Sequence, residues 1–174
     1  MVPVFAVLGL IQSEQAAGND KVYTAVPDPN FEKVLLSAGI DTQGTLDGQI
    51  LTADMAAAIS IRAADAGISD LTGIESATSL VELYVSRNSL AALDVTNSSG
   101  LSTLDAGNNA LDGYLDLTHN TVLTVMNTTG NANLSCIQVA DVSSANAAVG
   151  IYAAWNKDLW TAYSEDCQSD YPSP

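Results

Sequence analysis

Apolar and polar positions recur in a fixed cycle through the middle of the chain. The sequence reads Leu80-x-x-Leu83-x-Val85-x-x-Asn88-x-Leu90, then Leu101-x-x-Leu104-x-Ala106-x-x-Asn109-x-Leu111, 21 residues later. A third, looser pass, Leu123-x-x-Met126-x-Thr128-x-x-Asn131, follows after a further 22 residues. A repeat of this period means a solenoid of stacked coils. Within each pass, alternate residues such as Leu83 and Val85 point the same way, which is the period of a strand. The expected strands are 59–61, 83–85, 104–106 and a stretch near 126–128, paired in parallel. Leu80, Leu90, Leu93 and Val95 close the coil from its other sides. The asparagines Asn88, Asn109 and Asn131 follow each strand where the chain turns inward. There an amide side chain can satisfy backbone groups that a non-planar coil leaves unpaired, so the three form an expected ladder.

This is the leucine-rich-repeat pattern, and it sets the fold class: α/β, a short leucine-rich-repeat solenoid with a curved parallel sheet. No coil buries its apolar face alone, so both ends need caps. Five segments follow: a signal-like segment or arm at 1–21, an N-terminal cap at 22–58, repeats at 59–133, a C-terminal cap at 134–167 and a tail at 168–174. In the first cap, Asp28 and Pro29 suit the N-cap and first position of a helix over 29–38. Phe31, Val34, Leu35 and Ala38 give that helix an apolar face, and Gly39 stops it. Thr52 is expected to cap a second helix at 53–58. The extra residue of the third pass falls in Asp112–Thr121, expected to be an enlarged turn. In the second cap, Ile137-Gln138-Val139 is expected to extend the strand stack. Ile151, Tyr152, Trp155 and Trp160 are expected to seal the last coil.

Charge narrows the functional classes. Twenty acidic residues face five basic ones, for a formal charge of −15, and no Lys or Arg occurs between Arg87 and Lys157. Nucleic-acid binding needs cationic side chains and is not expected. Residues 2–11 form an apolar run too short to span a bilayer as a helix. It resembles the core of a secretory signal but lacks a basic start, so a hydrophobic arm packed on a neighbouring subunit is the alternative. The only cysteines are Cys136 and Cys167. A pair bracketing the end of an exported protein reads as a disulfide, with two free thiols as the alternative.

Catalytic chemistry is not visible. His119 is the single histidine, which leaves no multi-His metal site and no supported triad. No phosphate loop or nucleotide fingerprint occurs, and no cofactor is expected. The related stretches Asp94-x-Thr96-Asn97 and Asp116-x-Thr118-x-Asn120 could offer calcium oxygens, but Asx and Thr turns explain the same residues, so no metal is expected. The outward strand face is where solenoids commonly bind. Its expected members include Ala58, Ser60, Arg62, Glu82, Tyr84, Ser86, Arg87, Asp105 and Asn127. Glu82, Tyr84, Arg87, Asp105 and Asn127 are the candidate binding residues.

Four flanking pieces occur in a fixed order: Val26-Pro-Asp-Pro-Asn-Phe-Glu32, Ile68-Ser-Asp-Leu-Thr-Gly-Ile-Glu75, Leu134-Ser-Cys-Ile-Gln-Val139 and Ser164-Glu-Asp-Cys167. With the repeats, they resemble the short-coil leucine-rich-repeat surface proteins of Bacteroidetes, of the flavobacterial type. The resemblance covers residues 22–167. It implies an exported, non-enzymatic recognition or adhesion module that binds protein or glycan at a surface. A structural subunit of an extracellular filament or coat, binding copies of itself, is the alternative. The chain departs from the family in its few repeats, the lack of a sorting domain and its unusual N-terminus.

Overall fold

The computed structural model describes residues 21–170. The apolar run at 2–11 and the end of the tail at 171–174 lie outside the described residues. The described residues form ten strands and four α-helices. In order they are β1 (Tyr23–Ala25), α1 (Pro29–Ser37), β2 (Gln49–Leu51), α2 (Thr52–Ala56), β3 (Ser60–Arg62), β4 (Glu82–Tyr84) and β5 (Thr103–Asp105). Then come β6 (Asp112–Asp116), β7 (Val125–Asn127), β8 (Asn133–Gln138), α3 (Val142–Asn146), β9 (Ala154–Asn156), β10 (Ala162–Ser164) and α4 (Cys167–Asp170).

The front of the solenoid is a parallel sheet in the order β3-β4-β5-β7-β9. Its inward rung is Ile61, Leu83, Leu104, Met126 and Trp155, aligned by the pairing register. The first four are fully buried, and Val85, Ala106 and Thr128 are buried just beyond the strands. The strands start one residue away from the expected bounds. In the first coil Ser60 and Arg62 face outward and Ile61 inward, as expected, but the alternation does not extend back before the strand. Ala58, expected outside, is buried and Ile59 is 57% exposed. Ile61 and Ala63 fill the core. Ser86, expected outside, is buried as well.

The N-terminal cap is built on carboxylates. Asp28 Oδ1 accepts from the Asn30 and Phe31 amides at 2.8 and 3.2 Å and so caps α1. Its Oδ2 accepts from Ser69 N, Ser69 Oγ and Asp70 N at 2.8, 3.0 and 3.1 Å, which fastens the helix to the back of the first coil. Burial works upward on the Asp28 carboxyl, but these donors outweigh it and hold the pKa below 3.8. Glu32 is buried, and its Oε1 accepts from Asp47 N and Gly48 N at 2.6 and 2.7 Å. β1 and β2 pair antiparallel beside α1. The end of β1 passes so close to Gly73 that a Cβ there would lie 2.6 Å from the Ala25 carbonyl oxygen, at φ +103°. Thr52 is not a cap: α2 begins at Thr52 with Leu51 before it, and the Thr52 hydroxyl bonds that of Thr24 at 2.9 Å.

The back of the later coils carries a second parallel sheet, in the order β10-β8-β6. The expected enlarged turn at Asp112–Thr121 therefore begins as strand β6, with a register shift at Gly113/Tyr114. Ile137-Gln138-Val139 does not extend the front sheet; Ile137 and Gln138 lie in β8 of the back sheet, and β9 completes the front. Cys136 and Cys167 are disulfide-bonded with Cα atoms 5.9 Å apart, which ties β8 to α4. Tyr152 and Trp155 pack edge to face at 4.7 Å under the last coil. Trp160 is 59% exposed and seals nothing, although its Nε1 donates to the Asn131 carbonyl at 3.3 Å. Within the described residues no helix is long and apolar enough to cross a membrane.

Candidate functional site

Strand register arranges the outward side chains in two rows. One row is Ser60, Glu82, Thr103, Val125 and Ala154; the other is Arg62, Tyr84, Asp105, Asn127 and Asn156. Neighbouring strands lie about 4.8 Å apart, so each row is a line of adjacent side chains. They bond one another. Arg62 Nη2 donates to Glu82 Oε2 at 2.7 Å, and Ser60 Oγ donates to the same oxygen at 3.1 Å. The Arg62 guanidinium lies over the Tyr84 ring, 4.4 Å from its centroid. Further along, Asn127 Nδ2 donates to Asp105 Oδ1 at 2.9 Å. Asn127 Oδ1 in turn accepts from Thr129 Oγ1 at 2.8 Å.

Four candidate residues, Glu82, Tyr84, Asp105 and Asn127, thus share this face. Arg87 stands apart from them. It occupies a left-handed turn at φ +56° just past β4, matching Asp65, Asn108 and Gly130 in the other coils. Glu82 takes its cation from the preceding coil, Arg62, and this is the one ion pair among the described residues. Sequence order favours Arg87 as its partner, whereas the 22-residue step from Arg62 to Tyr84 places them side by side in one row. The pair is exposed, at 66% and 36% of the side-chain surface, so it contributes about 0–1 kcal/mol to stability. Its effect is to hold Arg62 and Tyr84 in one geometry.

Behind the face run the asparagines. Asn88 Nδ2 donates to the Ala63 and Val85 carbonyls at 2.7 and 2.9 Å, and its Oδ1 accepts from Ala66 and Ile68 N–H. Asn109 bridges Val85 O, Ala106 O and Leu90 N in the same way. Asn131 bridges Ala106 O, Thr128 O and Leu111 N. Each side chain joins its own coil to the one before, so the outward rows sit on a cross-linked base. At the back, Asp94 and Asp116 each accept from the amide and hydroxyl of the threonine two residues on. No group of three or more His, Cys, Asp or Glu gathers to hold a metal among the described residues. His119 is exposed and meets only the Thr118 hydroxyl, at 3.2 Å.

No protein-family model and no curated protein matches the chain. Solved structures do. The functional domain of InlJ from Listeria monocytogenes, which includes a cysteine ladder, matches over 82% of this chain at 21% identity with a TM-score of 0.55. An internalin, InlF, from the same species matches over 81% at 17% identity with a TM-score of 0.49. The chain spans 29% and 44% of the lengths of those two structures. At 21% identity the likeness to InlJ concerns the fold alone; the parallel strand order and the Cys136–Cys167 bond make it a short leucine-rich-repeat solenoid with a disulfide-closed cap.

Proposed function

We propose that the chain is a non-enzymatic recognition module, of the secreted or cell-surface leucine-rich-repeat type found in Bacteroidetes, that binds a protein or glycan through the front sheet. One observation supports this reading: side chains of the outward rows bond one another in two clusters, Ser60–Glu82–Arg62 with Arg62 stacked on Tyr84 at one end, and Asp105–Asn127–Thr129 beside them. Pre-organised aromatic and arginine side chains lose little freedom on binding, and they anchor interfaces out of proportion to their number. The face is shallow and polar, which suits moderate affinity raised by multivalent display. The Asn109 and Asn131 bonds beneath it keep the rows in register. Export agrees with the disulfide, since such bonds persist in oxidising compartments.

The test is adhesion of beads coated with this chain to arrayed extracellular proteins and glycans. Binding should fall at least tenfold in the double variant Arg62→Ala, Tyr84→Ala, with thermal stability nearly unchanged. Adhesion that survives this variant and a second one, Asp105→Ala with Asn127→Ala, would place the activity off the front sheet.

A second reading, a subunit of an extracellular assembly, is favoured by the far end of the sheet. β9 has no outer strand partner among the described residues, and Leu159 beside it is 99% exposed. A free strand edge next to apolar side chains is a site for pairing with another copy. Sedimentation over a concentration series separates the two readings: growth of oligomers that Leu159→Lys abolishes supports assembly.

A further inference from the structure

The position of the asparagine ladder continues to both ends of the front sheet. The pairing of Arg62 with Tyr84 puts Ala66 level with Asn88, and the pairing of Asn127 with Asn156 puts Trp160 level with Asn131. Hydrogen bonds agree with this count. Asn88 Oδ1 accepts from Ala66 N at 3.1 Å, and Trp160 Nε1 donates to the Asn131 carbonyl at 3.3 Å. One column along the solenoid is therefore Ala66, Asn88, Asn109, Asn131 and Trp160. Its two ends differ in shape. At the first, an open groove of about 400 Å³ lies between α1 and the first coil. Lys33, Val34 and Ala38 line it from α1, and Arg62 and Ala66 line it from the coil. At the second, the turn after β9 projects, with Leu159 and Trp160 both exposed.

The ends are also complementary in chemistry. Val34, Ala38 and Ala66 give the groove an apolar lining, and an exposed Leu beside an exposed Trp is the kind of group that such a lining covers. Lys33 and Arg62 are two of only five cations in a chain with twenty acids. Lys33 forms no ion pair among the described residues, and its ammonium reaches Asn30 Oδ1 at 3.5 Å. On the projecting turn, Asp158 precedes Leu159. Its Oδ2 accepts from Asn131 N at 3.0 Å, and its Oδ1 has no donor among the described residues. Turn against turn would set Asp158 against Asp158, and groove against groove would set Lys33 against Lys33; turn against groove sets acid against base. Both lie in one column, so a translation along the solenoid brings the turn of one copy onto the groove of the next. Two different patches that fit in this way make a heterologous contact, which repeats without closing.

We propose that the groove between α1 and the first coil receives Leu159 and Trp160 of a second copy, so that the chain assembles head to tail. This rests on the assembly reading above and supplies the acceptor surface for it. Leu159 of the second copy lies against Val34, Ala38 and Ala66, and the Lys33 ammonium donates to Oδ1 of the second copy's Asp158. Copies joined in this way carry their front sheets along one line, which is the multivalent display that a shallow face needs.

The experiment is sedimentation of the full chain over a concentration series, with two variants that each block one side. Lys33→Glu with Ala38→Glu blocks the groove, and Leu159→Ser blocks the turn; all three positions are exposed. Lys33→Glu alone is used if the double variant does not fold. The unmutated chain should form oligomers that lengthen with concentration. Each variant alone should stay monomeric, with its melting temperature within a few degrees of the unmutated chain. An equimolar mixture of the two should form a dimer and stop there, because one intact groove and one intact turn remain. Oligomers that survive the groove variant, or a mixture that stays monomeric, would overturn the proposal and leave the assembly reading standing on another contact. A chain that is monomeric at every concentration would overturn both and leave the groove to a different partner.

Discussion

The two ends of the solenoid solve the same problem by different means. The N-terminal cap closes the core with a helix and a two-stranded antiparallel sheet, held by charge-assisted hydrogen bonds. Asp28 alone serves the α1 amides and the first coil, and Glu32 pins the Asp47–Gly48 turn. The C-terminal cap has no buried carboxylate of this kind, although Asp141 Oδ1 accepts from Ser144 N at 2.9 Å and Asp158 Oδ2 from Asn131 N at 3.0 Å. It closes with a disulfide, packed aromatic rings and two strands that join sheets already present. The first end therefore depends on buried ionised carboxylates, and the second adds a dependence on redox state. Each weakness can be addressed separately.

The largest expected effect is at the C-terminal cap. Replacing Cys136 and Cys167 by serine frees a loop spanning 31 residues, and the chain-entropy model gives a loss of about 3–4 kcal/mol. Urea unfolding should show it as a lower midpoint, and reduction of the unmutated chain should have the same effect. A midpoint that ignores reductant would remove the covalent half of the contrast. At the other end, Gly73→Ala forces a side chain into a left-handed turn against the Ala25 carbonyl. Strain and overpacking together should cost about 2–4 kcal/mol. Hydrogen exchange should locate the loss in α1 and β1, with β10 protected as before.

Between the ends, Asn109→Ala should cost about 1–3 kcal/mol, because it strands the Leu90 amide and takes one donor each from the Val85 and Ala106 carbonyls, which keep Asn88 and Asn131. Asn97→Ala should cost less, since that side chain is exposed and makes a single bond, to the Glu75 carbonyl. Equal melting shifts would mean that the three-way bridging is not what holds the coils together. The smallest effect concerns pH. The Asp28 carboxyl has a folded pKa below its unfolded value of 3.8, so its contribution is present above that value and is lost as pH falls through the folded pKa. Exchange protection in α1 should drop in this acid range before protection in β8 and β10. Asp28→Asn should flatten that part of the pH profile; an unchanged slope would assign the acid sensitivity to other carboxylates.

Much of this contrast is legible in the residues, but unevenly. Asp28-Pro29 marks the first helix because capping is local: the bonds to the Asn30 and Phe31 amides need only a few residues. The second half of the Asp28 role, at Ser69, joins residues 41 apart in sequence and carries no local signal. Glu32 looks like an ordinary exposed helix residue, yet it is buried because the turn at Asp47 folds over it. The back sheet was hidden for a similar reason. Asp112-Gly113-Tyr114-Leu115-Asp116 carries turn residues, and it becomes a strand only because β8 lies beside it. Arg62 and Tyr84 become partners through the stacking of coils, since nothing in either local stretch pairs them.

The sequence by itself determined the repeating coil, the parallel front strands and the helical first cap. These follow from periodic burial and from capping, which act over one turn or one coil. Tertiary structure decided which strand ends the front sheet and which acid meets which base. Those outcomes depend on contacts between segments far apart in the chain. In β9 the step from Met126 to its rung partner Trp155 breaks the 21- and 22-residue spacing. No period could announce it, and it is held there by the free edge of β7 and by the Trp155 Nε1 bond to the Leu123 carbonyl at 2.9 Å.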